Sequence, residues 1–513
     1  MNRNPLAREW SFAAIVTLLF FCCALFNAYH HVMWRDEVRA WQIAAASPTL
    51  AALRQNLRYE GTPLLWYLIV WPLTKLGFTI FSMQAVHALI ASAVVFLFAW
   101  RAPFNWLARL LFPFGYFSFF EYATLARSYS LIFLLLLAAS AVICLARPRP
   151  ILLAIVLFLL TQVSIWGAGF AAIMMLIALL HWRMQARTWW ILPGIAVITG
   201  CALCYWQAIP GPGESFFIRW GEIPISQRLA MSVATIWKGW MPLPRWERAW
   251  WNTNVLDDWV GVEFALSILL LLIAILTLLR RPVALLLLVS ALLGLIGFTY
   301  LRFIGATRHH GHLFMVLITS CWIAEYSAPW TPANARLRAA SEWLDRRRAT
   351  LLAILLCLHA MIGIGANFAD HLMPFSGSKS VAEYITQKLP PDITLAGMDD
   401  YAMAGVSAYT GREFYYPQMR RFAPFNTQND QERFPVTKAD LFQQLKSLID
   451  QKHADVLFVL NARRVLTPAD MEVRFDSGDA DRPIILRVSV LPAFTDSTVA
   501  DESQALYLIH RVQ

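Results

Sequence analysis

FAAIVTLLFFCCALFNAYHHVMWRDEVRAW, residues 12–41, passes from an apolar run without a charge (Phe12 to Phe26) into an octet, Trp34 to Trp41, of which half is charged. The apolar half predicts a membrane span from about Ser11 to Tyr29. No small-residue cleavage site follows it, so it reads as a retained anchor and not as a signal peptide. Arg3 and Arg8 precede the span and place the N-terminus in the cytoplasm, because basic residues collect on that side. The charged half is then expected outside, at the membrane boundary, where ionisable groups are costly unless paired or hydrated. Asp36 and Glu37 stand out there as candidate site residues.

Working outward, the whole chain has the composition of a lipid-solvated protein. Its 513 residues are 58% hydrophobic and only 15% charged, with a mean hydropathy of +0.51, whereas a soluble domain carries about 25% charged residues. The net charge of +10 does not point to nucleic acid. Its basic residues sit in short clusters between apolar runs and so write topology instead. All seven cysteines lie in apolar segments, which argues against a disulfide framework. Cys201 and Cys204 have CxxC spacing inside GCALCYW, a helix interior without neighbouring ligand residues, and read as packing.

Apolar runs set against basic punctuation predict about eleven spans. After the first come Met83 to Trp100, Leu107 to Phe120, Ser128 to Leu145, Pro150 to Ile165, Gly167 to His181 and Trp189 to Gln207. Val260 to Leu279, Val283 to Tyr300, Leu313 to Trp330 and Leu351 to Ala369 complete the set. Inner turns hold Arg101 and Arg109, Arg147 and Arg149, Arg183 and Arg187, Arg280 and Arg281, and the cluster Arg336, Arg338, Arg346, Arg347 and Arg348. The first outside loop, 30–81, contains TPLLWYLIVWPLTKLGF, which is short for a crossing. Were it to cross, the later basic clusters would alternate against the rule, so it is expected to be re-entrant or juxtamembrane. The stretch from Ala208 to Trp259 is polar and Trp-rich and suits an interface.

The expected architecture is a polytopic α-helical membrane domain, 1–369, followed by an extracytoplasmic α/β domain, 370–513. In the latter, Ser380 and Glu383 read as a capping box opening a helix to about Leu389, and Lys438 to Asp450 as a second helix. ITLAGM, EFYY, ADVLFVLN and ALYLIHRV read as strands.

This topology leaves few charged groups outside near membrane depth. They are Arg35, Asp36, Glu37, Arg39, Arg54, Arg58 and Glu60; Glu121 and Arg127; Glu214, Arg219, Glu222 and Arg228; and Arg302, Arg308, His309, His310 and His312. Structural roles compete for each. Asp36 and Glu37 suit a helix N-terminus and a pair with Arg39, Glu121 and Arg127 suit an ion pair, and the histidines of RHHGH match no standard zinc spacing. Arginines suit a phosphate, since the guanidinium fork pairs with its oxygens. Carboxylates and arginines on one side of the membrane describe an acid or base acting beside a bound phosphate.

Four segments resemble the GT-C integral-membrane glycosyltransferases, among them the protein O-mannosyltransferases and aminoarabinose transferases. WRDEVRAW is similar to that family's Asp-Glu motif and YEGTPLLWYL to its acidic-then-HPPL or KPPL segment, although Gly61 and Thr62 stand where relatives carry His or Lys. EYATLARSYSL resembles the Ala-Arg segment that opens a span, and DDYAMAGVSAYTGREFYYP the periplasmic domain. The resemblance implies a GT-C-like fold in a bacterial-type inner membrane. It also implies inverting transfer of a sugar from a polyprenyl-phosphate-linked donor to a glycan, lipid or protein acceptor. On it, Asp36 is the general base, and Glu37 and Glu60 orient the acceptor or a divalent cation. Arg127, Arg302 and Arg308, with His309 beside them, bind the donor. Trp34, Trp41, Trp66 and Tyr67 would anchor the loop at the interface or stack on sugar or lipid. The rival expectations are a transporter, which predicts paired repeats that the sequence does not show, and a non-enzymatic envelope assembly protein.

Overall fold

The computed structural model describes residues 5–182, 188–209, 211, 220–398, 400–425, 433–464, 466–467, 470–475 and 484–512. Arg183, Arg187, Glu214, Arg219 and Asp399 lie outside the described residues. The first helix, α1, runs from Pro5 to His30. Three short helices follow: α2 (Arg35–Ala45), α3 (Leu50–Asn56) and α4 (Leu65–Lys75). At ~1.5 Å per residue α4 is about 16 Å long, half of what a crossing needs.

The bundle continues with α5 (Phe81–Arg101), α6 (Trp106–Leu111), α7 (Tyr129–Ile143), α8 (Pro150–Thr161), α9 (Ile165–Trp182) and α10 (Ile191–Ala208). It closes with α11 (Ile225–Trp240), α12 (Val260–Leu278), α13 (Pro282–Leu301), α14 (Thr307–Tyr326) and α15 (Ala335–Leu372). Seven of these, α1, α5, α9, α10, α12, α13 and α15, are long and apolar enough to span a membrane, and α7 and α8 are shorter apolar helices. The chain is an integral membrane protein.

Three elements differ from the expected ones. The apolar run from Leu107 to Phe120 is not one helix: α6 ends at Leu111, a 3-10 turn covers Phe112–Phe114, and a π-helix covers Tyr116–Glu121. Pro113 has no N–H for a helical ladder, and Gly115 is extended (φ −67°, ψ 155°), which breaks the run between them. α14 begins at Thr307, so RHHGH forms its first turns and not a loop. α15 spans 38 residues, carrying the basic cluster and the last expected span on one helix of about 57 Å.

The tryptophans are also more buried than interface anchors would be. Trp34, Trp66 and Tyr67, and Trp240, Trp250 and Trp251 of the 208–259 stretch, pack into the core, while Trp246 and Trp259 are exposed.

After α15 come α16 (Ser378–Lys388), β1 (Thr394–Gly397), α17 (Asp400–Thr410), β2 (Phe414–Tyr416), β3 (Arg421–Ala423) and α18 (Lys438–Lys452). Strands β4 (Val456–Asn461), β5 (Glu472–Phe475), β6 (Ile484–Phe494) and β7 (Gln504–Arg511) complete the C-terminal unit. The sheet order is β3-β2-β1-β4-β7-β6-β5, with β1 parallel to β2 and β4 and the other pairs antiparallel. Alternation along β4 sends Leu457 and Val459 to the face covered by α16 and α17, and Val456 and Phe458 to the face covered by α18. The cap of α16 is Gly377 and not Ser380, so the expected capping box is not used.

Candidate active site

Asp36 lies on the first turn of α2, whose amino end follows α1 by only four residues. Its Oδ2 is 3.2 Å from Arg308 Nη2 and 3.6 Å from Arg127 Nη1. Arg127 also donates to the Asp36 carbonyl. Three separate pieces of chain therefore meet on one carboxylate: α2, the segment between the π-helix and α7, and the start of α14. The Asp36 side chain keeps 31% of its exposure and borders a small cavity of about 20 Å³ lined also by Thr62, Trp66, Tyr67, Arg127 and Ser128. Burial alone would raise its pKa, but the charges of Arg127, Arg308, Arg35 and Arg39 outweigh burial and hold it below the usual carboxylate range.

Each arginine is itself fixed. The Arg308 guanidinium lies 5.0 Å from the Trp34 ring centroid and 5.5 Å from that of Trp251, and the two indoles meet edge-on at 4.8 Å. Tyr122 Oη donates to the Arg308 carbonyl at 2.7 Å. Arg127 sits over the Tyr129 ring at 6.0 Å.

Glu37 is turned away from the cavity and wholly buried. Its Oε1 accepts from the Ala126 amide at 2.6 Å, and its Oε2 from the Trp34 amide at 3.2 Å and His31 Nε2 at 2.9 Å. His31 Nδ1 donates in turn to Asp370 of α15 at 2.9 Å. Burial would lower the His31 pKa, but the carboxylates of Asp370 and Glu37 more than reverse this and push it up to about 10. Through Ala126, Glu37 ties the Arg127 segment to α2; it holds the site together from behind. Glu60 accepts from Arg39 Nε at 2.9 Å and Nη2 at 2.6 Å. Glu37 uses both of its oxygens in these bonds and Glu60 one of its own, and no group of three His, Cys, Asp or Glu among the described residues could hold a metal ion. The donor set does not fit a divalent cation, which was one of the two tasks, beside orienting the acceptor, that the resemblance offered for Glu37 and Glu60.

The other expected contacts divide. Arg302 caps α13, is exposed, and makes no side-chain hydrogen bond or ion pair among the described residues, so it stays outside the site. His309 follows Arg308, but its Nδ1 accepts from the Ala306 amide at 2.9 Å and its ring packs on Tyr129 and Phe303. Glu121 does not pair with Arg127; it accepts from Tyr116 Oη at 3.0 Å and Trp251 Nε1 at 3.1 Å.

Sequence reasoning missed the C-terminal unit's part in this site. Tyr409 Oη accepts from the Met33 amide at 2.9 Å, and Arg35 Nη1 lies 2.8 Å from Asp501. Glu502, fully buried, accepts from the Arg35 amide at 3.1 Å and from Ser376 at 2.9 Å. Gln42 donates to the Ala404 and Pro424 carbonyls at 2.9 and 3.0 Å. α17 thus packs on α2, and its only sequence signal was the DDYAMAG segment.

No family profile matches the chain, and neither does any curated protein. In shape it is similar to ArnT from Cupriavidus metallidurans in a crystal structure bound to undecaprenyl phosphate, at 11% identity and a TM-score of 0.49, covering 97% of this chain and 98% of that one. It is similar also to the apo crystal structure of that protein, at 13% identity and a TM-score of 0.49, covering 96% and 97%.

Proposed function

We propose that the chain is a glycosyltransferase that moves a sugar from a polyprenyl-phosphate-linked donor to an acceptor hydroxyl on the extracytoplasmic face, with inversion at the anomeric carbon. The observation that carries this reading is one carboxylate, Asp36, held by two arginines beside a cavity at one end of a membrane helix bundle. A phosphate diester at that end meets Arg127 and Arg308, and a hydroxyl in the cavity meets Asp36.

In this reading Asp36 takes the proton of the acceptor hydroxyl as its oxygen attacks the anomeric carbon, and the bond from that carbon to the phosphate oxygen breaks. The polyprenyl phosphate leaves as an anion, stabilised by Arg127 and Arg308. The same two guanidiniums serve base and leaving group in turn. Paired with them, Asp36 is ionised but weakly basic; a donor phosphate that draws them away raises its proton affinity where the acceptor arrives. Glu37 acts as a positioning residue, and Arg302 takes no part. The orientation, with the N-terminus cytoplasmic and the α/β unit extracytoplasmic, follows from the basic clusters on the opposite end.

Asp36→Asn keeps the shape and removes the base. Purified protein with this change, given synthetic polyprenyl-phosphate sugars and membrane acceptors, should release prenyl phosphate about 10²- to 10⁴-fold more slowly with an unchanged melting temperature. Wild-type release by Asp36→Asn sinks the assignment.

A further inference from the structure

A second cavity, about 470 Å³, opens between α3 and the carboxyl end of α10. It is lined by Arg54, Gln55, Arg58, Thr62, Trp206 and Gln207, among others. Its size falls in the range of small-molecule sites. Thr62 also lines the Asp36 cavity, so the two spaces share a wall.

The wall is built and not incidental. Gln207 accepts from the Leu64 amide at 2.9 Å and donates to Gln162 at 2.9 Å, which fixes the loop before α4 against α8 and α10. Arg54 Cζ lies over the Trp206 ring, 3.5 Å from its centroid, and both residues line the groove. Arg35, Arg39, Arg127 and Arg308 all meet carboxylates. Among the described residues Arg54 and Arg58 meet none, although both face one cavity. Two guanidiniums that meet no carboxylate among the described residues and line one groove favour an anion with several oxygens. Trp206 and Ile209, which line it, are exposed apolar groups at the end of a spanning helix, where amphipathic aromatics sit at lipid headgroup level.

We propose that this groove is an acceptor subsite, in which Arg54 and Arg58 hold a phosphate or carboxylate of an acidic acceptor whose hydroxyl reaches Asp36 past Thr62. The proposal rests on the glycosyltransferase reading for the acceptor's role, but anion binding by the groove is measurable without turnover.

The full chain in phosphatidylcholine nanodiscs is titrated in two arms. Phosphatidic acid in the disc, against diacylglycerol, is counted by native mass spectrometry; glucose 6-phosphate in solution, against glucose, is followed by calorimetry. Saturable binding of the anion over its neutral analogue is expected in one arm, which names the source as lipid or soluble. It should weaken at least tenfold in Arg54→Gln/Arg58→Gln and persist in Arg54→Lys/Arg58→Lys and in Asp36→Asn, all melting within a few degrees of wild type. Equal affinity in wild type and the Gln double variant, or no saturable anion binding in either arm, overturns the proposal. Because Asp36→Asn binds here without transferring, loss of this subsite and loss of the transferase reading are separate results.

Discussion

Arg308 shows how one residue is made to serve two charges. Its guanidinium lies against a pair of indoles and reaches one oxygen of Asp36, so its direction is set by packing before any ligand arrives. A lysine there would keep the charge but lose the planar stacking and the fork. Replacement by glutamine removes the charge from both the base and the proposed leaving group. Arg308→Gln should lower kcat/KM by roughly 10²- to 10³-fold. The acid limb of its pH profile should also move to higher pH, because burial would then raise the Asp36 pKa with one fewer cation opposing it. A variant whose rate falls while the acid limb stays in place would show that Arg308 does not act on Asp36. The same residue scale separates two further positions. Arg302 and His309 were grouped with Arg308 by sequence proximity, yet one caps the exposed end of α13 and the other turns its ring back onto the start of its own helix.

Among the elements, the broken segment 106–121 and α15 set the depth of the site. Gly363 of α15 faces the backbone of Phe114, Gly115 and Tyr116, and a Cβ there would collide with the Phe114 carbonyl and lie 2.7 Å from the Gly115 carbonyl carbon. Only glycine lets the helix lie against the turn that launches the π-helix, and the π-helix leads directly to Arg127. Gly363→Ala should therefore cost about 1–3 kcal/mol, read as a lower melting temperature together with reduced transfer. Full stability in that variant would mean that the contact is looser than described. Much of this scale was legible in the sequence: α1, α5, α9, α10, α12 and α13 follow long apolar runs, and α4 was too short to cross. Pro113 and Gly115 were visible breakers, but within an apolar run the hydropathy signal outweighed them. Asp36 and Arg127 drew notice because charge beside lipid needs a reason, and the structure brings the two together. The Glu37–His31–Asp370 chain was not, since His31 and Asp370 are separated by 339 positions and no local pattern joins them. The cation expectation likewise treated Glu37 and Glu60 as free carboxylates, and their partners, His31 and Arg39, become visible only in three dimensions.

At the scale of the molecule, the C-terminal unit and the bundle are joined through the same short helix that carries Asp36. Arg35 binds Asp501 and Glu502 on one side of it, and Glu37 reaches Asp370 through His31 on the other. Both links are protonic. Burial pushes the Glu502 carboxyl up to about 8, against an opposing pull from Arg35 and a Ser376 hydrogen bond, while the flanking carboxylates bring His31 to about 10. In each case the folded value lies above the ordinary one, 4.5 for Glu502 and 6.5 for His31, so the folded protein holds the proton more tightly than the unfolded chain. The stabilisation is complete below the ordinary value and is lost as pH rises through the folded value. The thermal stability of the assembled chain should therefore fall as pH rises from about 4.5 to about 8 through Glu502 and from about 6.5 to about 10 through His31, each group contributing on the order of 1 kcal/mol per pH unit within its window. Glu502→Gln, which mimics the protonated acid, should remove the part of the slope below about pH 8, and His31→Gln the part above the ordinary histidine value. Melting curves of detergent-solubilised protein measured from pH 6 to 10.5 decide it. A wild type with no alkaline loss, or a slope unchanged in both variants, would mean that these links between the unit and the bundle do not depend on proton binding.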